Sequence, residues 1–305
     1  MSDGGRPLCV LPLPRAEAAA TRFAERLGAP LCALESRRFA DGETYLRVLG
    51  DVAGCDVAVV AEMRDPDAQL PGLLLLPDAL RDLGAVSVGL IAPYLPYMRQ
   101  DARFRPGEAV TARSFARLIS SAYQWLVTVD PHLHRIASLD EVYALRSVVV
   151  QSAPAIAAWL RAHVERPLVV GPDAESAQWA SHVARLAGAP HIVLRKTRRG
   201  DTEVEIDAPG STSEHRGCTP VLVDDIISTG STLAEAVRLL TGCGFARPFC
   251  VGVHAVLVGD AEARLQTAGV RRIVTCDTLT HPSNEIALAD RVVEAVTLAR
   301  AADRA

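Results

Sequence analysis

Short apolar runs that alternate with amphipathic stretches limit most strongly what this chain can fold into. Runs such as "LCVLPL", "CDVAVVAEM" and "WLVTVD", and later "PLVVGP", "PVLVDD" and "RRIVTCDT", are typical of buried strands. Between such runs, "RAEAAATRFAERLGA", "TARSFARLISSAY", "ESAQWASHVARLAGA" and "TLAEAVRLLTGCG" carry apolar residues at helical spacing. The alternation predicts an α/β protein with mainly parallel sheets flanked by helices, and with ligands at the carboxyl ends of the strands.

The length of 305 residues allows about two domains of ordinary size. The stretch "RSVVVQSAP", residues 146–154, ends one series of strand–helix units and begins another. It predicts domains at residues 1–147 and 148–305. Each of these halves contains a strand that ends in Asp before a loop, "LVTVDPHLH" and "VLVDDIISTG", which indicates a duplicated fold.

Composition argues against nucleic-acid and membrane partners and indicates a reducing compartment. The net charge of -4 and the pI of about 6.1 provide no general attraction to nucleic acid or to an anionic membrane surface. The apolar run "LLLL" at residues 73–76 is far shorter than a membrane span. Seven scattered cysteines without a CxxC pair fit reduced thiols. We therefore expect a soluble cytoplasmic protein with no nucleic-acid or membrane partner.

The stretch "PVLVDDIISTGSTLAEAV", residues 220–237, is the most specific motif in the chain. A predicted strand at residues 221–223 is followed by two acids, Asp224 and Asp225, and then by a loop of hydroxyl residues and glycine. Thr232 and Glu235 have the spacing of a capping box, which predicts that a helix starts there. Free N–H groups at such a helix start suit a phosphate, and the acids suit sugar hydroxyls or a magnesium-held ligand.

This motif resembles the phosphoribosyl-diphosphate (PRPP) binding motif of type I phosphoribosyltransferases and of ribose-phosphate pyrophosphokinases. The resemblance implies two phosphoribosyltransferase-like domains, with Asp224 and Asp225 on the ribose hydroxyls. It assigns the 5-phosphate to a loop made of Ser228, Thr229, Gly230, Ser231 and Thr232. The motif alone does not separate an enzyme that makes PRPP from one that consumes it.

Two stretches in the first half resemble the kinases specifically: "RFADGETYLRV" at 38–48 and "PYLPYMRQDARFRPGEAVTARSFARLI" at 93–119. By this resemblance Phe39 stacks on adenine, and Asp41 and Glu43 bind its amino group from a loop that reaches a neighbouring subunit. Arg99 and Gln100 contact ATP. An aromatic ring beside two acceptors suits a flat base with an amine, and Arg suits phosphate oxygens. A shared site implies a homo-oligomer, at least a dimer.

The resemblance also implies a magnesium site. His132, in "LVTVDPHLHR", matches a family histidine that helps to hold Mg²⁺ with ATP, and Asp173, in "VVGPDAESAQWA", matches an acid near the diphosphate. The family usually has small residues after that acid, often glycines, whereas this chain has Glu175 and Ser176. This departure bears on the geometry of the loop.

The chain has 32 Lys and Arg residues, and Lys196, in "HIVLRKTRRGD", is its only lysine. A lysine kept among arginines indicates a position that needs a compact ammonium group rather than a planar guanidinium. By resemblance the position belongs to a flexible catalytic loop, in which Lys196 and Arg198 stabilise the transferring group.

The sequence therefore predicts a ribose-phosphate diphosphokinase that uses Mg²⁺, ATP and ribose 5-phosphate. One alternative is a phosphoribosyltransferase that consumes PRPP and shares the loop at 221–233. A second alternative is a non-catalytic relative that regulates a true synthase. Lys196 and Arg198 argue against the second alternative, and Glu175 and Ser176 argue for it.

Overall fold

A computed structural model describes residues 6–194, 197–199, 203–205 and 212–303. The chain divides into two compact units. The first comprises Met1–Val150 with Ala289–Ala305, and the second comprises Gln151–Leu288.

The first unit is built on a parallel five-stranded sheet. Its strands are β1 (Leu8–Pro12), β4 (Asp56–Val60), β5 (Ser87–Ile91), β6 (Trp125–Val129) and β7 (Arg146–Val150), and they lie in that order across the sheet. The helices are α1 (Glu17–Leu27), α2 (Pro66–Asp82), α3 (Thr111–Ala122) and α8 (Ala289–Asp303). The first four strands are buried along their whole length, as a parallel sheet with both faces covered requires.

A separate antiparallel hairpin, formed by β2 (Leu34–Arg38) and β3 (Thr44–Val48), belongs to the first unit. Its apolar side chains Leu34, Leu46 and Val48 are partly buried against the main core. Its other residues are largely exposed, which leaves the tip of the hairpin at the surface.

The second unit is built on a parallel six-stranded sheet. The strand order is β15 (Asn284–Ile286), β14 (Arg272–Cys276), β13 (Phe249–Ala255), β12 (Thr219–Ile227), β8 (Pro167–Gly171) and β9 (His191–Val193). The helices are α4 (Ala153–His163), α5 (Ala177–Ala187), α6 (Ser231–Gly242) and α7 (Ala261–Ala268), and a short antiparallel pair is formed by β10 (Thr197–Arg199) and β11 (Glu203–Glu205). The predicted α/β class with parallel sheets flanked by helices is confirmed.

The compact units differ from the predicted domains of residues 1–147 and 148–305 in two respects, the crossing point and the place of the last helix. The chain passes between units at Val150 and Gln151, but the last helix, α8, belongs to the first unit. Two contacts explain this. The helix packs on β6, β7 and α1 through a face that includes Val292 and Val296, and its Arg300 pairs with the buried Asp56 at 2.9 Å.

None of the described helices combines the length and the apolar composition that crossing a bilayer requires.

Candidate functional site

Three predicted residues lie at the tip of the β2–β3 hairpin. The N–H of Phe39 donates to the carbonyl of Glu43 at 2.9 Å, and the N–H of Gly42 donates to the carbonyl of Phe39 at 2.9 Å. The Asp41 carboxylate accepts the N–H of Glu43 at 3.3 Å. Gly42 has φ of 93°, a left-handed conformation that favours glycine in so tight a turn. The turn therefore presents Phe39, Asp41 and Glu43 together on one exposed tip.

The Phe39 ring is 45% exposed and is supported by two neighbours. The Tyr45 ring meets it edge-on, with centroids 5.9 Å apart, and the Arg37 guanidinium lies 4.6 Å from its centroid. An apolar ring that is held in place but exposed to this extent is suited to stacking on a flat base.

Arg99 and Gln100 lie in a tight turn between β5 and α3. Arg99 is exposed and Gln100 is half-buried. The turn is bonded to the start of α3, because the Ala112 N–H donates to the Gln100 carbonyl at 3.3 Å and the Thr111 hydroxyl donates to the Tyr97 carbonyl at 3.2 Å. The amino end of a helix carries partial positive charge, so this position favours an anionic ligand.

An ion pair between the buried Asp101 and the exposed Arg135 joins this turn to the loop that contains His132. The Asp101 carboxylate accepts the backbone N–H of Arg135 and its guanidinium, each at 3.0 Å. Burial alone would raise the pKa of Asp101, but these bonds from Arg135 outweigh it and hold that pKa below its ordinary value. The structure thus places the predicted ATP segment beside the predicted metal-holding loop.

His132 follows β6 in a loop whose backbone is unusual. Asp130, at the end of the strand, has φ of 31°, and the rings of His132 and His134 meet edge-on with centroids 4.0 Å apart. His132 is half-buried and His134 is exposed. The sequence gives His134 no role, whereas the structure shows that it packs against the predicted residue.

In the second unit, Asp173 lies in the loop between β8 and α5, and Ser176 closes this loop. The Ser176 hydroxyl donates to the Asp173 carbonyl at 2.7 Å, and the Asp173 carboxylate accepts the Ser176 N–H at 3.0 Å. Ser176 is buried, whereas Glu175 is exposed. The two residues that depart from the family pattern therefore differ, since the serine forms part of the loop and the glutamate is at the surface.

Asp224 and Asp225 lie inside β12 rather than after it. The sequence predicts a strand at residues 221–223, but β12 continues to Ile227 because the fully buried β13 pairs beside it as far as Ala255. Burial, and then the charges of Asp225 and Asp173, raise the pKa of Asp224 well above its ordinary value. Asp173, Asp224 and Asp225 thus form one group of interacting carboxylates.

The loop that follows β12 leads directly into α6, and the predicted capping box is wrong. The helix begins at Ser231 with Gly230 as its N-cap, so Thr232 is already the second helical residue. Gly230 has φ of 70°, and a Cβ there would lie 3.2 Å from Leu265 Cγ and 3.3 Å from the Ala261 carbonyl. The Val258 N–H also donates to the Ser228 carbonyl at 3.2 Å. This packing, rather than a side-chain cap, sets the start of α6.

The exposed residues of this loop surround the start of the helix. Thr229, Ser231 and Thr232 are exposed, and the Thr229 and Ser231 hydroxyls lie 3.2 Å apart. The first backbone N–H groups of a helix have no acceptor within the helix. The loop therefore offers hydroxyls and N–H groups together, as an anion site requires.

Lys196 lies outside the described residues. Arg198 lies in the middle of β10, opposite Val204, and only its backbone is described.

The described part of the chain places the predicted residues on three sets of segments, two in the first unit and one in the second. Phe39, Asp41 and Glu43 share the hairpin tip, and Arg99, Gln100 and His132 belong to joined segments of the same unit. Asp173 and the residues from 224 to 232 lie at the carboxyl ends of the neighbouring strands β8 and β12. Within the described part of the chain, no group of three or more His, Cys, Asp or Glu side chains forms a ready metal site.

The sequence pattern missed the contacts that hold the segments of the first unit, namely Asp101 with Arg135 and Tyr97 with Asp67. These pairs are separated by 34 and 30 residues. No local motif indicates such pairs, although Asp101 and Tyr97 lie within the quoted ATP segment.

Two family models match the chain. The N-terminal domain of ribose phosphate pyrophosphokinase matches residues 8–122, and the phosphoribosyl transferase domain matches residues 140–289. The second match ends at the residue where α8 begins.

Curated relatives and a solved structure agree with these models. The ribose-phosphate pyrophosphokinase of Methanopyrus kandleri is 38% identical over 278 residues, which are 90% of this chain and 94% of that protein. That of Methanobrevibacter smithii is 34% identical, with 90% and 94% covered. The crystal structure of phosphoribosylpyrophosphate synthetase from Mycobacterium smegmatis has a TM-score of 0.85 and 28% identity, and covers 96% of this chain and 99% of its own. The chain belongs to the ribose-phosphate pyrophosphokinase family of enzymes.

Proposed function

We propose that this enzyme transfers the β,γ-diphosphoryl group of Mg-ATP to the C1 hydroxyl of ribose 5-phosphate. The products are PRPP and AMP. One observation supports this most strongly. The chain combines an acid pair with a glycine–hydroxyl loop in one unit, and an exposed aromatic–acidic tip with an arginine turn in the other. A phosphoribosyltransferase needs only the first of these groups.

In this proposal the second unit binds the sugar phosphate. Asp224 and Asp225 accept hydrogen bonds from the ribose hydroxyls, because carboxylates are strong acceptors at a site that places them side by side. Ser228, Thr229, Gly230, Ser231 and Thr232 hold the 5-phosphate. The start of α6 contributes its N–H groups and its positive end.

The first unit binds the nucleotide. Phe39 stacks on the adenine, Asp41 and Glu43 accept its exocyclic amine, and Arg99 and Gln100 contact the phosphates. The exposure of the tip supports the further proposal that it reaches ATP on a neighbouring subunit, so that the active enzyme is a homo-oligomer of at least two chains.

The residues fit a magnesium ion. Burial, and then the charges of Asp225 and Asp173, raise the pKa of Asp224, and a bound cation would oppose the effect of those two charges. Carboxylate oxygens are the ligands that Mg²⁺ prefers. Asp173 would hold the ion together with substrate phosphates, and His132 would act near the ATP. When bound, Mg²⁺ neutralises charge on the diphosphate and lowers the energy of the transition state.

Catalysis then depends on positioning and charge. The C1 hydroxyl oxygen forms a bond to the β-phosphorus and loses its proton, while the bond from that phosphorus to the bridging oxygen of AMP breaks. Lys196 and Arg198 stabilise the negative charge on the transferring oxygens. The departures from the family pattern at Glu175 and Ser176 are compatible with this activity. The Ser176 hydroxyl bonds within the loop, and Glu175 is exposed.

A nucleotide assay tests the proposal. With Mg²⁺, ATP and ribose 5-phosphate present, we expect equal amounts of AMP and PRPP, and no AMP when the sugar phosphate is omitted. A transferase would instead release pyrophosphate from PRPP and a base, and a regulatory relative would form neither product alone. Either of those results would overturn the proposal.

We also propose a cytoplasmic location and no nucleic-acid partner. All seven cysteines are free thiols, as in a reducing compartment, and the net charge is -4.

A further inference from the structure

The turn that carries Arg99 and Gln100 begins at a strained residue. Tyr97 has φ of 63°, a left-handed conformation that is rare for an aromatic residue. Such strain persists only where the surroundings hold the residue in place, and it concentrates at functional sites. Three contacts hold Tyr97 here. Its ring packs on Phe115 with centroids 4.8 Å apart, its carbonyl accepts the Thr111 hydroxyl, and its own hydroxyl donates to Asp67.

Asp67 lies in the first turn of α2, and the same turn also contacts the β2–β3 hairpin at its tip end, through Arg38. The Arg38 guanidinium donates to the carbonyl of Ala68 at 3.2 Å and to the carbonyl of Gly42, at the hairpin tip, at 3.1 Å. Gln69 in turn donates to the carbonyl of Glu62 at 2.9 Å, which fixes this first turn to the segment just after β4.

Leu34, Leu46 and Val48 pack the hairpin against the main core, and a cavity borders the end that carries Arg38. A cavity of about 270 Å³ lies between the hairpin and α2, lined by Ser36, Arg38 and Thr44 on one side and by Ala68 and Gln69 on the other. Arg38 lines this cavity, and its bonds join the tip end of the hairpin to the first turn of α2.

We propose that the first turn of α2 is a positioning element for ATP, which holds the Arg99–Gln100 turn through Tyr97 and the hairpin tip through Arg38. Tyr97, Asp67 and Arg38 are then positioning residues, none of which needs to touch the substrate. The inference depends on the proposed function only in naming ATP as the ligand. If the tip serves a neighbouring subunit, this one helical turn holds parts of two ATP sites.

Burial and the Asp67 carboxylate raise the pKa of Tyr97 to about 12, so its hydroxyl remains a hydrogen-bond donor throughout the pH range of any assay. The bond can therefore be removed cleanly by Tyr97→Phe. We expect a rise of about threefold to tenfold in the KM for ATP, as for loss of a hydrogen bond to a charged group, with the KM for ribose 5-phosphate unchanged.

A double-mutant cycle separates this role from general stability. Asp67→Ala should raise the KM for ATP as Tyr97→Phe does, and the double variant should be no worse than either single variant. Tyr123→Phe is the matched control, because the buried Tyr123 also donates to α2, at the Leu73 carbonyl and 2.9 Å, but far along the helix. It should lower the unfolding temperature without changing the KM for ATP.

The hairpin side has its own pair of variants. Arg38→Met should raise the KM for ATP, and Arg38→Lys should restore part of the loss because it keeps a donor. Arg47→Met is the control on the same hairpin, since the side chain of Arg47 is 64% exposed and pairs with Glu35 at 3.7 Å.

Calorimetric titration with Mg-ATP reads the same effects as changes in Kd, so the inference is testable even if the wild-type chain forms no AMP. Absence of AMP from the wild type would count against the proposed function alone. An unchanged affinity for ATP in Tyr97→Phe, additive effects in the cycle, or an equal change in Tyr123→Phe would overturn the inference.

Discussion

The candidate groups in the two units are assembled in different ways. In the second unit, Asp173 follows β8, and the residues from 224 to 232 run from the end of the neighbouring β12 into the start of α6. The side-chain hydrogen bonds among them are local. In the first unit, the hairpin tip, the Arg99 turn and the His132 loop come from separate parts of the chain. Ion pairs and hydrogen bonds between residues about 30 positions apart join them to one another or to α2. The residues of the second unit therefore follow largely from a local sequence motif. Those of the first unit depend on contacts between residues that are distant in the sequence.

The difference extends to the electrostatics of the two groups. In the second unit, carboxylates are forced together and the pKa of Asp224 rises. In the first unit, the acid Asp101 is paired and its pKa falls. We infer that the clustered carboxylates of the second unit lower its stability when no ligand is bound. The contacts of the first group instead stabilise the folded unit.

The largest expected effect concerns that dependence on long-range contacts. Arg300→Met removes one of the arginine partners of Asp56, which is 1% exposed and also pairs with Arg6. We expect a loss of about 3 kcal/mol in the free energy of unfolding, as for other broken buried pairs. Denaturant unfolding checks it. Arg26→Met, which removes an exposed pair with Asp290, should cost about 0.5 kcal/mol. Equal losses would show that long-range burial is unimportant in this unit.

Asp224→Asn tests the motif-based group. Because the amide is a weaker acceptor for a sugar hydroxyl, kcat/KM for ribose 5-phosphate should fall by about a hundredfold. The control is Asp260→Asn in the same unit, where the exposed carboxylate pairs only locally with Arg264 at 2.8 Å. Full activity in the Asp224 variant would remove this residue from the site.

Lys196→Arg tests the one lysine of the chain. A guanidinium retains the charge but not the compact geometry of an ammonium group, so turnover should fall about tenfold with little change in the affinity for ATP. Steady-state kinetics measure both quantities. Turnover equal to that of the wild type would mean that the lysine is incidental.

The smallest expected effect is a gain in stability. The raised pKa of Asp224 means that its contribution to stability is fully present below the ordinary carboxyl range and is lost as the pH rises through the raised value. Without ligand or Mg²⁺ at neutral pH, Asp224→Asn should therefore be more stable than the wild type by about 1 kcal/mol. Thermal unfolding from pH 4 to pH 8 should show the difference growing with pH. A less stable variant at neutral pH would contradict the inferred strain.

The same difference explains how much the sequence could predict. The fold class, the buried strands and the acid–loop motif follow from short runs of residues, because strand burial and phosphate cradles have local patterns. The start of α6 at Ser231 could not be predicted, since it depends on the packing of Gly230 against α7. The membership of α8 in the first unit depends on Arg300 and Asp56, which lie 244 residues apart. Only the folded chain shows those contacts.

A crystal structure with ribose 5-phosphate and a non-hydrolysable Mg-ATP analogue tests most directly which residues bind each ligand. We expect the pentose phosphate to lie against Asp224, Asp225 and residues 228–232. We expect the adenine to lie against Phe39 and the phosphates against Arg99. A nucleotide bound away from Phe39 and Arg99, or a pentose away from the acid pair, would contradict this assignment.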